Sequence, residues 1–343
     1  MIKKIRILIA LLAMSMSITY AQEKNGCGVS LTLEEIEAHK KQVGKIMQKI
    51  KNRKLTKKKS NGTYKIPVIF HILHNGEGDG PNNKNEISKE TMACKIANAI
   101  EVANKDFRGE YPEFNTTDPR FDAVKDKMDN IEFILATEDP DGNLLDTPGM
   151  NWKADGELIS WGYDKRITDD PWWWGKNGKY YLQVFIVHYP NENGKWNQSG
   201  HAFLPNGGNE KAFPRIVYNW RYIGAYDSCG GGSGVNGAGI YAGPNFEKVF
   251  THEIGHFFGL SHVFPRIENG NRTCGDGDGL ADTPNTPGQE GCTRDKLNDC
   301  GVYANLENHM DYNTACQNMF TKDQVALMNY WLEDTSEVMH PRG

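Results

Sequence analysis

His252, Glu253, His256, Gly259 and His262 stand within one short run, H-E-I-G-H-F-F-G-L-S-H. Two histidines four apart on a helix project from the same face, about one turn apart, so both imidazoles can reach one ion. Glu253, beside the first, sits close enough to handle a metal-bound water without being a ligand. Gly259 lets the chain leave the helix through a backbone conformation that other residues avoid, which swings His262 back towards the same ion. Three neutral imidazole nitrogens with one position left open describe a catalytic zinc and not a structural one. In that chemistry the ion lowers the pKa of its water and polarises a carbonyl. Glu253 is then the general base that takes the water's proton and delivers it to a leaving amine.

Such a run needs a helix to carry it. The sequence predicts one beginning near Asn245, with Phe246, Val249, Phe250, Ile254 and Phe257 on its apolar face. The glycine-rich stretch before it, Cys229 to Gly243, lacks a following Lys-Ser/Thr and so reads as a loop into the helix, not a phosphate loop. Further upstream, Tyr64–Leu73, Ile131–Ala136 and Tyr180–His188 read as strands. Ser88 opens a helix in which Met92, Ile96, Ile100, Ala103 and Phe107 share one face. Thr321 with Gln324 three ahead caps a last helix through Val325, Leu327, Met328 and Trp331. Thr32 and Glu35 form a similar capping box for an early helix carrying Ile36, Val43, Met47 and Ile50. Trp172, Trp173 and Trp174 fit either a substrate groove or the packing of a surface loop.

The 343 residues, 38% hydrophobic and 10% aromatic, suffice for a sizeable core. Residues 1–21 have the layout of a secretory signal: Lys3, Lys4 and Arg6, an apolar stretch from Ile7 to Ile18, and a small residue at Ala21. No other segment approaches a membrane span. Charge is unevenly placed. The total is −5, yet residues 22–59 carry ten Lys and one Arg against four Glu. The remainder from residue 60 is therefore strongly acidic, which excludes a nucleic-acid partner and fits a basic leader docked on the domain it precedes. Export makes the seven cysteines a disulfide question, and an odd number leaves at least one thiol over.

Beyond the zinc run, Asn308-His309-Met310-Asp311-Tyr312 follows 48 residues after His262 at its methionine. Together the two elements resemble the metzincin clan of zinc peptidases. Ile131–Ala136 with Asp139-Pro140-Asp141-Gly142, Tyr181-Leu182, Gly277-Asp278 through Asp282-Thr283-Pro284, four clustered cysteines and Phe320-Thr321-Lys322-Asp323-Gln324 narrow it to the pappalysin family. The resemblance implies an α+β catalytic domain. An upper subdomain (60–262) holds a mixed twisted sheet and the zinc helix, and a smaller, disulfide-stapled lower subdomain (263–343) holds the methionine turn and a C-terminal helix. It implies Cys274–Cys300 and Cys292–Cys316 pairs, Met310 as a floor beneath the ligands, and Tyr312 as a stabiliser of the tetrahedral intermediate. It also implies calcium at Asp278, Asp282 and Thr283, where D-G-D-G-L-A-D supplies hard oxygen ligands without EF-hand spacing.

In related zymogens a leader cysteine occupies the zinc, and Cys27-Gly28 precedes the basic helix here. If Cys94 pairs with Cys229, Cys27 is the thiol left over; a Cys27 disulfide to either one, or an idle thiol, are the alternatives. Relatives that prefer Arg or Lys carry an aspartate between the M-D-Y tyrosine and the next cysteine. This chain has Asn313-Thr314-Ala315 instead, one residue shorter, so that preference does not carry over. The expectation is a secreted, monomeric zinc endopeptidase acting on proteins or peptides. It has a signal (1–21) and a propeptide (22–59) that is its own partner, with no membrane span in the mature form. The contrasting reading is a catalytically silent secreted binding or adhesive module on the same fold.

Overall fold

A computed structural model describes residues 33–52, 63–74, 89–154, 181–187, 199–205, 215–224, 229, 247–265, 273–275, 277–288 and 291–334. The signal-like residues 1–21, Cys27, residues 53–59, the tryptophan triplet and the glycine-rich stretch after Cys229 lie outside them.

Helix α1 (Leu33–Asn52) is followed by strand β1 (Tyr64–His74) and helix α2 (Lys89–Phe107). Short β2 (Lys125–Asp126), β3 (Ile131–Leu135), β4 (Met150–Ala154) and β5 (Leu182–Val187) come next. Then come β6 (Gly200–Ala202), β7 (Ile216–Asn219), α3 (Val249–Phe257), β8 (Phe320–Thr321) and α4 (Lys322–Asp334). The main sheet runs β3-β1-β5-β7-β6, with β4 also on β1. The first half of β1 pairs with β3 and the second half with β4. All its pairings are parallel except β6 on β7, so the fold is a mixed α+β one.

Alternation along β1 explains how the sheet is covered. Val68, Phe70 and Ile72 face one side and join the main core with Met92, Ile96, Ala103 and Phe107 of α2 and Phe250 and Ile254 of α3. Leu73 belongs to a separate cluster on the other face with Phe185, Val187 and Val217. Burial on both faces is why β1 and β5 read as continuous apolar runs.

The structure differs from the strand and helix expectations at the start of α3 and in its additional strands. Helix α3 starts at Val249, after a turn at Glu247 and Lys248, and not near Asn245. Strands β2, β4, β6, β7 and β8 are additional to the expected ones. β6 is only Gly-His-Ala, short and led by a residue that disfavours strands, and it exists because β7 pairs with it. The C-terminal cap forms as expected: Thr321 N donates to Gln324 Oε1 at 2.9 Å, and Gln324 N to Thr321 Oγ1 at 3.3 Å.

Among the described residues there are three disulfides: Cys94–Cys229, Cys274–Cys300 and Cys292–Cys316. Helix α1 is embedded. Val43, Ile46 and Met47 are buried in the main core, and α1 packs on α4.

Candidate metal centre and active site

The α3 helix presents His252 and His256 one turn apart, both buried. Gly259 then takes a left-handed φ of +87°, and the chain doubles back to bring in half-buried His262. The Nε2 of His256 lies 3.1 Å from the Nε2 of His252 and 3.1 Å from that of His262. Nitrogen lone pairs brought this close repel one another, and a cation at their centre would relieve that repulsion. Among the described residues they are the one His/Cys/Asp/Glu group whose ligand atoms converge on such a point.

Outer partners set the tautomers. His252 Nδ1 donates to the His309 carbonyl at 2.6 Å, and His256 Nδ1 to the Leu260 carbonyl at 2.6 Å. Each Nε2 is thereby left as a lone pair. Burial lowers the pKa of His252 to about 4 and holds His256 and His262 well below their ordinary value, so all three rings are neutral at pH 7. Neutral, converging imidazoles, two of them oriented by backbone carbonyls, fit zinc.

Glu253 is fully buried beside them. It adjoins Gly200 of β6, where a Cβ would come within 3.3 Å of Glu253 Oε1 and 2.9 Å of the Tyr218 ring. The edge strand thus carries glycine chiefly because the paired strand crowds it, with the Tyr218 ring and the Val217 carbonyl oxygen (3.0 Å) nearer than the glutamate. Met310 is buried against Gly255, whose bare Cα lets the thioether lie directly under the helix. Tyr312 closes the other side: its ring centroid is 4.8 Å from that of His262 and 4.7 Å from that of Phe264, while Phe264 stacks on His262 at 4.9 Å.

The turn bearing Met310 is fastened from below. Asn308 and Gln324 exchange amide hydrogen bonds at 2.9 and 3.1 Å, and Met310 N donates to Asn308 Oδ1 at 2.9 Å. Asp106, at the end of α2, was not foreseen. It is buried, accepts from Thr251 Oγ1 at 2.7 Å, and lies 3.4 Å from Lys248 Nζ and 3.9 Å from His309 Nε2. A lone aspartate near a helix end carries no sequence signal of this kind. Desolvation raises its pKa to about 7, against the pull of Lys248.

In the acidic segment, Asp278 Oδ1 accepts from Leu280 N at 3.0 Å and Thr283 Oγ1 at 2.9 Å. The Asp282 oxygens accept from Thr321 Oγ1 and from Asp323 N, both at 2.8 Å, at the N-terminus of α4.

The family model described as pregnancy-associated plasma protein-A, Peptidase_M43, matches residues 162–333. An extracellular metalloprotease of Arthroderma gypseum is 35% identical over 270 residues, covering 77% of this chain and 70% of that protein. The chain belongs to this metallopeptidase family. A second such protein, from Neurospora crassa, is 33% identical over 211 residues, 59% of this chain and 61% of its own. The match to the extracellular metalloprotease of Arthroderma otae, 39% identical, spans 42% of that protein's length. Among solved structures, a Tannerella forsythia promirolysin mutant matches with a TM-score of 0.63 at 24% identity, over 92% of this chain and 95% of that one. Mature mirolysin of the same organism, in complex with a cleaved peptide, matches at 0.59 and 24%, over 82% and 95%. These likenesses bear on the fold alone.

Proposed function

We propose that the chain is a secreted zinc endopeptidase that hydrolyses peptide bonds of proteins and is made as a zymogen. The observation that carries this is the convergence of three neutral Nε2 atoms beside a buried carboxylate, Glu253. His252, His256 and His262 would hold the zinc, which supplies Lewis acidity to a water and to the scissile carbonyl. Glu253 accepts the water's proton as it attacks and delivers it to the leaving amine nitrogen. Tyr312, on the rim beside His262, donates to the carbonyl oxygen as it gains charge. Met310 fills the space under the ligands and keeps the helix from shifting. Secretion is supported by the signal-like N-terminus and by relatives named extracellular. No helix among the described residues is long and apolar enough to cross a membrane.

The leader, residues 22–59, acts on the same site, and Cys27 blocks it as a thiolate in place of water. Two observations support this. Both Cys94 and Cys229 are committed to each other, so Cys27 is the odd thiol. Helix α1 also lies against the bend of the zinc motif, with His39 Nε2 3.1 Å from the Gly259 carbonyl. The mature relative aligns with about a tenth less of this chain than its pro-form does, which is consistent with a removable leader. Calcium at Asp278, Asp282 and Thr283 remains part of the proposal; it predicts that added calcium raises the unfolding temperature of zinc-loaded protein.

The test is cleavage of casein or gelatin by processed protein. Activity should vanish with a zinc chelator and fall by about two to four orders of magnitude in Glu253→Ala. A processed, zinc-loaded protein that cuts nothing in a peptide library sinks the enzyme reading and leaves a binding module. Cys27→Ala should speed conversion to the mature form; unchanged latency removes the cysteine from the mechanism.

A further inference from the structure

The chain from Asn308 to Asn318 folds back under the zinc helix, and the side chain of Gln317 is buried inside the fold-back. Its Nε2 donates to the His309 carbonyl at 3.0 Å and to the Asp311 carbonyl at 2.6 Å. The His309 carbonyl is also the acceptor for His252 Nδ1 at 2.6 Å. One oxygen therefore takes a hydrogen bond from a metal-site imidazole and another from this amide. The amide can face only one way, because its reversal would set three oxygens against one another.

The backbone of Gln317 is anchored in turn. Its carbonyl accepts from Lys248 Nζ at 2.8 Å, and the same ammonium reaches Asn318 Oδ1 at 2.5 Å and sits beside Asp106. Lys248 is the N-cap residue of α3, one turn ahead of His252. Helix start, ligand and methionine turn are thus tied through one residue, by its backbone carbonyl and its side-chain amide.

We propose that Gln317 is a positioning residue for the metal centre, a role that rests on the zinc-peptidase reading above. By clamping the carbonyls on either side of Met310, it works with Asn308 Oδ1, which accepts from the Met310 N–H of the same peptide at 2.9 Å, to hold the His309 carbonyl in place. The His309 oxygen then stays aligned with His252 Nδ1–H, which fixes the tautomer and aims Nε2 at the ion. An apolar side chain of the same length would fill the space but remove one of the two hydrogen bonds on the His309 oxygen. Nothing in the local sequence marks the position, since a glutamine after a cysteine reads as ordinary surface.

The test compares Gln317→Met and Gln317→Asn with the wild-type full-length chain. Zinc affinity is read by competition with a chromophoric chelator, and ligand geometry by the visible spectrum of the cobalt-substituted protein. Gln317→Met should bind zinc about 10- to 100-fold more weakly, the range seen when partners of metal ligands are removed. Gln317→Asn is too short to span both carbonyls and should fall between. In the processed enzyme kcat should drop while KM holds. A merely structural glutamine predicts the opposite pattern: a lower unfolding temperature of metal-free protein, with zinc affinity and cobalt spectrum unchanged. If Gln317→Met does not fold, Gln317→Asn carries the comparison. Tight zinc in the wild type and equally tight zinc in the variants overturns the proposal alone. A wild-type chain that binds no zinc overturns the peptidase reading and this inference with it.

Discussion

Replacing Gly259 with alanine separates the two demands made on the bend of the zinc motif. The backbone there has a φ of +87°, a region that side chains rarely enter, and the strain of holding alanine there is about 1–2 kcal/mol. A methyl group would also fall inside the indole of Trp331, which is buried on α4. Moving a packed ring adds about 1–3 kcal/mol. The two together, about 2–5 kcal/mol, are a large fraction of the 5–15 kcal/mol by which domains are stable. For a domain of this size each kcal/mol lowers the unfolding midpoint by about 2–4 °C, so a fall on the order of 10 °C is expected. The shift should not be uniform across functions. His262 follows the bend by three residues, so zinc should leave the variant faster than the fall in global stability alone explains. Thermal unfolding of zinc-loaded and metal-free protein, with the rate of zinc transfer to a chelator, measures both parts. A Gly259→Ala protein with unaltered midpoint and zinc transfer rate refutes the claim that backbone handedness and the Trp331 contact set this bend.

Other substitutions probe separate parts of the fold. Gly44 lies inside α1 with nothing within 4 Å of where a Cβ would stand, so Gly44→Ala should stabilise the full-length chain by up to about 1 kcal/mol in chemical unfolding. His71 is held neutral by burial, with its pKa lowered to about 3, and His201 is lowered to about 3 as well. The unfolded chain takes up these protons near pH 6.5 and the folded chain does not, so the stabilisation is complete above that pH and is lost as pH falls towards 3. His71→Gln should flatten the stability profile in this window by about 1.4 kcal/mol per pH unit, measured by denaturant titration; an unchanged slope contradicts a neutral buried ring. Breaking Cys94–Cys229, which bridges 135 residues, in a Cys94→Ser/Cys229→Ser double variant should lower stability by about 2–5 kcal/mol.

What the sequence discloses follows the range of the interactions involved. The zinc ligands are legible because two of them share one helical turn and the third follows a glycine bend, all within eleven residues. Helix α2 is legible because Met92, Ile96, Ala103 and Phe107 repeat at helical spacing. β6 is not, since Gly-His-Ala becomes a strand only when β7 lies beside it. Asp106 and Gln317 are not, because their partners lie 145 and 8 residues away through contacts that no periodicity encodes. Even Gly200 is a glycine for a distant reason, the space taken by the Tyr218 ring and the Val217 carbonyl of β7.

Helix α1 contributes Val43, Ile46 and Met47 to the same core as the catalytic elements. On the proposed reading, cutting the chain after this helix would not by itself set the enzyme free. The cut turns a tethered contact into a two-body equilibrium, whose position depends on concentration because the tether's high local concentration is gone. Dilution then becomes an activating signal. Freshly secreted, crowded molecules would hold their severed leaders, and those that diffuse away would lose them.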